Sequence, residues 1–267
     1  AEDYVKRATS LQNESATEAI GNPEARDNFV GYGYQIWMCQ PKGVYRADGA
    51  MGQFTIVVPD LDMIIAITEN ASGAHWAQAI LDAMWEFLER IRKNPAAGEN
   101  AAASAALKKR MSCLALPNPT YQPFSPYLEK VNGNSYEVEK GDFYLAYDGV
   151  ETIMGGAPLP PAVRSFTLHF TCDTLWISVD DGTGTFDFQA AMDGSRRQNL
   201  VPGRLIRQVL ASAWWEQENV LVVEMRKIET CGKETLTFTF EGDQVTIEDE
   251  NNMLFKLEMP TIVAKRK

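Results

Sequence analysis

From Asn134 to the C-terminus the chain breaks into short segments alternating apolar and polar residues, with no long helical pattern between them. Phe166, Leu168 and Phe170 alternate with Thr167, His169 and Thr171, and Leu236, Phe238 and Phe240 repeat the pattern. A period of two sends neighbouring side chains to opposite faces of a strand, so each segment has one face to bury. The spacing predicts strands over 135–139, 143–147, 164–170, 174–179, 186–190, 208–213, 220–228, 235–240, 244–248 and 254–259. Turn clusters such as Asp180-Asp181-Gly182 and Glu241-Gly242-Asp243 separate many of them. So many short strands without a crossover helix predict an antiparallel barrel or sandwich.

Upstream the pattern is mixed. Tyr4, Val5, Ala8 and Leu11 suit a helix over 1–12, and the polar, small, Pro-interrupted stretch 13–28 reads as a loop. Tyr32, Tyr34, Ile36 and Met38 predict a strand over 31–38, followed by strands starting at Val44 and over 54–58 and 63–68. Pro59-Asp60 begins the turn joining the last two. Trp76, Ile80, Met84, Leu88 and Ile91 then make an apolar stripe on a helix over 75–92, which Asn94-Pro95 stops. An Ala-rich connector passes into a short helix ending near Leu116, and Pro117, Pro119, Pro123 and Pro126 mark an extended linker. The expected class is therefore α+β: a first domain over 1–95, a helical and Pro-rich linker over 96–133, and an antiparallel β-barrel over 134–267.

A net charge of −11 argues against a nucleic-acid partner, because phosphate binding needs clustered Lys and Arg. The basic runs Lys108-Lys109-Arg110 and Lys265-Arg266-Lys267 read as solvated surface. Cys39, Cys113, Cys172 and Cys231 lack C-x-x-C spacing, which supports neither a zinc nor a redox motif. Each sits in or beside an apolar run, so a buried free thiol is the default reading, with disulfide pairing left open by the sequence. No run reaches the length of a bilayer-spanning helix. The chain shows no signal peptide and no initiating Met, and its compartment stays open. Neither His75 nor His169 has a metal-ligand partner at helix or strand spacing, so both read as structural or surface groups, and no metal or cofactor is expected. Trp214 and Trp215 must point to opposite faces of their strand, one into the core. The carboxylate pairs Asp180-Asp181 and Asp249-Glu250 read as solvated turn residues, and Gly155-Gly156 lacks the strand–helix context of a phosphate loop.

The runs YVKRATSLQ, GYGYQIW and RADGAMGQF, with the 64–68 strand and its following helix, resemble the C-terminal part of the penicillin-binding-protein and serine β-lactamase-like hydrolases. The resemblance covers residues 1–93 and implies the final sheet strands and terminal helix of an α/β catalytic domain. The family's third motif, Lys- or His-x-Gly, falls on Ala47-Asp48-Gly49, of which only the glycine matches. The resemblance places the backbone N–H of Ala50 in an oxyanion hole and Arg46, Asp48 and Gly49 along the substrate cleft. The family's Ser-x-x-Lys nucleophile and Tyr-x-Asn motif are absent, so the chain alone is expected to be inert. Read locally, Asp48-Gly49 is also an ordinary hairpin dipeptide. The second domain is similar in pattern to the lipocalin-like barrels appended to some members.

Three readings follow. The first is a segment of a hydrolase transferring acyl groups from an amide, ester or peptide to water. The second is a non-catalytic binding or assembly module whose bare apolar strand over 63–68 pairs with a second copy or with a separate N-terminal hydrolase half. The third is a lipocalin-like carrier of a small apolar ligand, which requires a cavity that Phe and Trp side chains do not fill.

Overall fold

The computed structural model describes residues 2–14, 24–49, 52–71, 77–94, 98–147, 149–153, 156–252 and 260–267. The chain forms two compact units, Ala1–Leu114 and Ala115–Lys267.

The first unit contains helix α1 (Glu2–Ala8), strands β1 (Trp37–Met38), β2 (Tyr45–Gly49), β3 (Gln53–Val58) and β4 (Met63–Ile67), and helices α2 (Gln78–Lys93) and α3 (Ala101–Ser112). The strands form an antiparallel meander in the order β1-β2-β3-β4, with Arg46 opposite Ile56 and Ile56 opposite Ile65. Phe54, Ile56 and Val58 alternate inward from β3 and pack with Leu81 and Leu88 of α2, which Ile80, Met84 and Trp85 flank. Trp76, expected on that stripe, lies outside the described residues, as does His75. Pro59–Leu61 makes one turn of 3-10 helix, closed by Asp62 in the left-handed region (φ 46°). Arg92 at the end of α2 reaches back to this turn and holds both oxygens of Asp60, at 2.9 and 3.0 Å.

The expected strand over 31–38 shrinks to Trp37–Met38. Its upstream residues fold into an irregular turn with Gly31 and Gln35 at positive φ, and Tyr32 packs edge-on against Trp37. A Cβ at Gly33 would meet the carbonyl oxygen of Ala8 at 2.1 Å, so close approach to α1 displaces regular pairing there. Asp48-Gly49 lies within β2, opposite Phe54 and Gln53, and is not itself the hairpin turn.

The second unit carries strands β5 (Ser135–Lys140), β6 (Ser165–Phe170), β7 (Thr174–Asp180), β8 (Thr185–Ala191), β9 (Arg197–Leu200), β10 (Gln208–Gln217), β11 (Val220–Lys227), β12 (Lys233–Glu241), β13 (Gln244–Asn251) and β14 (Ile262–Arg266). Two short helices, α4 (Leu128–Val131) and α5 (Val150–Ile153), complete the unit. The sheet runs β11-β12-β13-β14-β5-β6-β7-β8-β10 and closes where β10 pairs with β11, giving an antiparallel β-barrel. Its weakest seam is between β8 and β10, which meet through a single parallel bridge at Ala191 and Ser212. The buried Asn199 of β9 reinforces that seam. Its amide accepts the backbone N–H of Gln189 and donates to the carbonyl of the same residue, both at 2.8 Å, as a neighbouring strand would.

Inward positions follow the predicted alternation: Phe166, Leu168 and Phe170 on β6, and Leu236, Phe238 and Phe240 on β12, are all buried. Trp215 faces the lumen with no exposed surface, while Trp214 sits half-buried on the outer face. The expected strand over 143–147 is instead a buried loop with Ala146 at φ 58°, although Phe143, Leu145 and Ala146 still contribute to the core. Strands β9 and β14 went unpredicted, and the expected strand over 254–259 falls outside the described residues. The basic C-terminal run is partly strand, with Arg266 opposite Tyr136.

Candidate functional site

Ring contacts cross the barrel interior without a break. Phe170 stacks on Trp215 (5.8 Å between centroids), Trp215 meets Phe240 (6.1 Å), Phe240 meets Tyr136 (6.0 Å), and Tyr136 stacks on Phe166 (5.4 Å). Phe166 in turn meets Phe143 and Phe238 edge-on, each at 5.9 Å. Large aromatics in such contact pack as core, and among the described residues a carrier of small molecules needs a cavity beside them.

A cleft of about 670 Å³ on the barrel unit supplies one. Three segments wall it. The β7–β8 turn is built by Asp181, whose Oδ1 accepts the N–H of Thr183 (2.8 Å), the hydroxyl of Thr183 (2.7 Å) and the N–H of Gly184 (3.1 Å). These bonds hold the Asp181 carboxyl below its ordinary range against the opposing pull of burial. The second wall is the stretch Ala157-Pro158-Leu159-Pro160-Pro161, stiffened by its prolines. The third is Val201–Leu205, entering β10. Glu151 of α5 fixes this third wall: one carboxylate oxygen accepts the N–H of Leu205 at 3.1 Å and the other that of Ile206 at 3.2 Å. Phe186 and the buried Val201 line the cleft, and Leu159 and Leu205 lie exposed along it.

Arg204 is the cleft's cation. Its guanidinium lies over the ring of Tyr147, 5.7 Å from the centroid, and makes no hydrogen bond or ion pair of its own among the described residues. Burial pulls its pKa below the usual arginine range, while Glu151, Glu234, Tyr147 and Asp181 push it back up. It remains charged at any physiological pH.

Three ionisable side chains also point inward along the barrel strands. Lys227 of β11 and Glu234 of β12 form a fully buried ion pair, and Glu234 accepts the N–H of Ala146 at 3.2 Å. Burial raises the Glu234 carboxyl, with Lys227 opposing. On β13 Asp249 is pushed up to about 8, by burial first and then by the charge of Glu234, and its Oδ1 has no hydrogen-bond partner among the described residues. The expectation of a solvated turn pair at Asp249-Glu250 is thereby corrected: both residues lie in β13, and Asp249 shares the inward parity of Val245 and Ile247.

The first unit brings Arg46, Asp48 and Gly49 together around a small cavity of about 80 Å³, with Asn28, Trp37 and Phe54. Ala50 lies outside the described residues. Arg46 has no exposed surface: its Nε donates to Asp48 (2.9 Å), its Nη2 to Asn28 (2.5 Å) and its Nη1 to the Met38 carbonyl (3.3 Å), between the rings of Trp37 and Phe54. Beside it the buried carboxylate of Asp27 accepts from the N–H and amide of Gln40, the amide of Gln78 and the indole of Trp85, all within 2.9 Å. Burial pushes the Cys39 thiol up to about 11, so it is protonated and unreactive. Contrary to expectation, Cys113, Cys172 and Cys231 are exposed. His169 is exposed on the outer face of β6, opposite Trp176. No metal-binding group of His, Cys, Asp and Glu occurs among the described residues, and no described helix is long and apolar enough to cross a membrane.

No protein-family model matches the chain, and no curated protein does. Among solved structures, it is similar to a Schistosoma mansoni fatty acid binding protein in complex with arachidonic acid (11% identity, TM-score 0.39), covering 52% of this chain and 96% of that one. A fatty-acid-binding protein from Drosophila melanogaster brain gives 14% identity and a TM-score of 0.37 over 51% and 98% of the two chains. A secretory abundant heat soluble protein of Ramazzottius varieornatus gives 8% and 0.37 over 57% and 99%. At these scores the likeness says nothing about ligands, and the barrel stands on its own closed strand pairing.

The sequence did not single out Arg204 or Glu151. Arg204 follows Pro202-Gly203 in a loop and Glu151 lies in the four-residue helix α5, and no pattern in the neighbouring sequence marks either charge. The luminal charges did leave a signal: Lys227 shares the parity of Leu221, Val223 and Met225, and Glu234 that of Leu236 and Phe238.

Proposed function

We propose that the barrel unit is a small-ligand-binding module that holds its ligand in the outer cleft rather than in the lumen. The observation that carries this reading is Arg204, a guanidinium without a hydrogen-bond acceptor among the described residues, at the wall of a cleft lined by proline, leucine, valine and phenylalanine together with Glu151, Asp181, Thr183 and Thr185. A concave, largely apolar site with one convergent polar group is the usual form of a small-molecule pocket, and its volume falls within the usual few hundred to a thousand Å³. The test is titration of the full chain with phenyl-naphthylamine, a neutral dye that fluoresces on entering an apolar site. Saturable binding is expected, weakened at least about tenfold by the double substitution Leu159→Ser and Leu205→Ser, which removes two exposed cleft side chains. Equal affinity in the variant overturns the reading.

For the first unit the acyl-transfer reading rests on the sequence resemblance, and the feature that favours it is the cavity beside Arg46, Asp48 and Gly49 at the end of β2. On that reading the purified chain hydrolyses neither a chromogenic ester nor a chromogenic β-lactam. Turnover that survives purification would contradict it. The outer edge of β4 has no strand partner among the described residues, and we propose that it pairs with a strand of a second chain.

A further inference from the structure

The charged side chains lining the cleft differ in what they leave free. Glu151 has each carboxylate oxygen occupied by a backbone N–H, and Asp181 has one oxygen taken by three donors of its own turn. Neither carboxylate is in an ion pair among the described residues, and both line the cleft. Arg204 is the reverse case: its charge is already offset by its acidic surroundings, whereas its N–H groups have no acceptor among the described residues.

We propose that the cleft takes a neutral apolar molecule bearing a carbonyl-type acceptor (an amide, ester or ketone), which Arg204 binds by a charge-assisted hydrogen bond, and that it discriminates against carboxylates and other anions. The proposal rests on the ligand-binding reading above and names the ligand class. A carboxylate entering the cleft would gain Arg204 but would stand beside two carboxylates that are held in place by their own bonds and cannot turn away. In a partly desolvated site like charges repel far more strongly than in water, so that repulsion offsets the attraction of one guanidinium. An ammonium ligand is attracted by the two carboxylates but brings no acceptor for Arg204 and is repelled by it. A neutral carbonyl avoids both conflicts and satisfies the one donor left over. The apolar flanks of Phe186, Val201, Leu159 and Leu205 accommodate the rest of the molecule.

Three probes with one ring system separate these cases: naphthamide, naphthoate and naphthylmethylamine, each competing with bound phenyl-naphthylamine on the full chain. The amide is expected to displace the dye about tenfold better than either charged probe, the size of effect one charge-assisted hydrogen bond gives. Arg204→Met keeps the side chain's length and apolar stem; with each probe's affinity read against the dye's own affinity for that variant, the amide should lose its roughly tenfold advantage. Naphthoate or the amine competing as well as the amide would overturn the proposal. So would an amide preference that survives Arg204→Met. If that variant misfolds, the ranking on the unaltered chain still decides. Dye that binds in the cleft but is displaced by none of the three sinks this inference and leaves the binding module standing. Absence of dye binding sinks both.

Discussion

In the four-stranded sheet the buried guanidinium of Arg46 is met by Asp48, Asn28 and the Met38 carbonyl, and Asp27 nearby accepts four bonds. In the barrel Lys227 and Glu234 pair, but Asp249 is left with an oxygen that no described group meets. The difference follows from how each sheet ends. An open meander is flanked by loops that fold back over its polar groups, as the segment holding Asp27 and Asn28 does. A closed barrel surrounds its interior with strands whose backbone groups are already spent on one another, so an inward carboxylate has few donors within reach. A saturated network ties elements together; an unsaturated one makes the fold depend on protons.

Arg46→Met separates the two regions most sharply. It removes the cation from a buried pair and the hydrogen bonds that Arg46 donates to Asn28 and Asp48, a loss of about 3 kcal/mol from the first unit. Thermal denaturation should show that unit melting earlier while the barrel's transition holds. A variant as stable as the parent would mean the network contributes nothing.

Asp249→Asn comes next, and its sign depends on pH. The carboxyl titrates at about 8 in the folded chain against an ordinary value of 3.8, so folding takes up a proton between those limits. The resulting stability is complete below about pH 4 and is lost as pH rises through 8. Asparagine is uncharged throughout. Urea denaturation should therefore find the variant more stable than the parent near pH 9, by a few kcal/mol, with the advantage shrinking towards pH 5. A parallel pair of pH profiles would show that Asp249 is ionised and satisfied in the fold.

The smallest effect on stability belongs to Ile64→Lys on the bare edge of the open sheet. Ile64 is 68% exposed, so the substitution should leave the melting temperature within about a degree. A lysine on an edge strand opposes strand addition. Sedimentation velocity should show self-association of the parent and less of it in the variant. A parent that stays monomeric at high concentration removes the second-copy form of the β4 proposal and leaves only a different partner chain.

Much of the fold was legible because it is local. Period-two alternation identified β6, β7, β8, β11 and β12 nearly to their ends but stopped four residues short on β10, and the helical stripe through Ile80, Met84 and Leu88 identified α2. Errors fell where distant contacts override local preference. Tyr32 and Tyr34 alternate as a strand should, yet Gly33 lies against the carbonyl of Ala8 and the segment turns. Phe143 and Leu145 have strand character but pack into the core from a loop. β9 was invisible because Arg197-Gln198-Asn199-Leu200 offers little to bury, and the Asn199 side chain itself completes its pairing with β8.

The amino-acid sequence alone determined that the C-terminal half forms an antiparallel barrel or sandwich of short strands, because each strand carries an apolar face that only other strands can cover. It also determined which face of α2 meets a sheet. Tertiary structure alone decided that aromatic rings meet across the barrel interior while a cleft opens outside it, that Arg46 is committed while Arg204 has no acceptor among the described residues, and that Asp249 faces inward with one oxygen no described group meets. Those outcomes depend on which side chains from distant strands and loops arrive at one place. Burial and hydrogen bonding, the two forces that set them, act on distance in space and not on position in the chain.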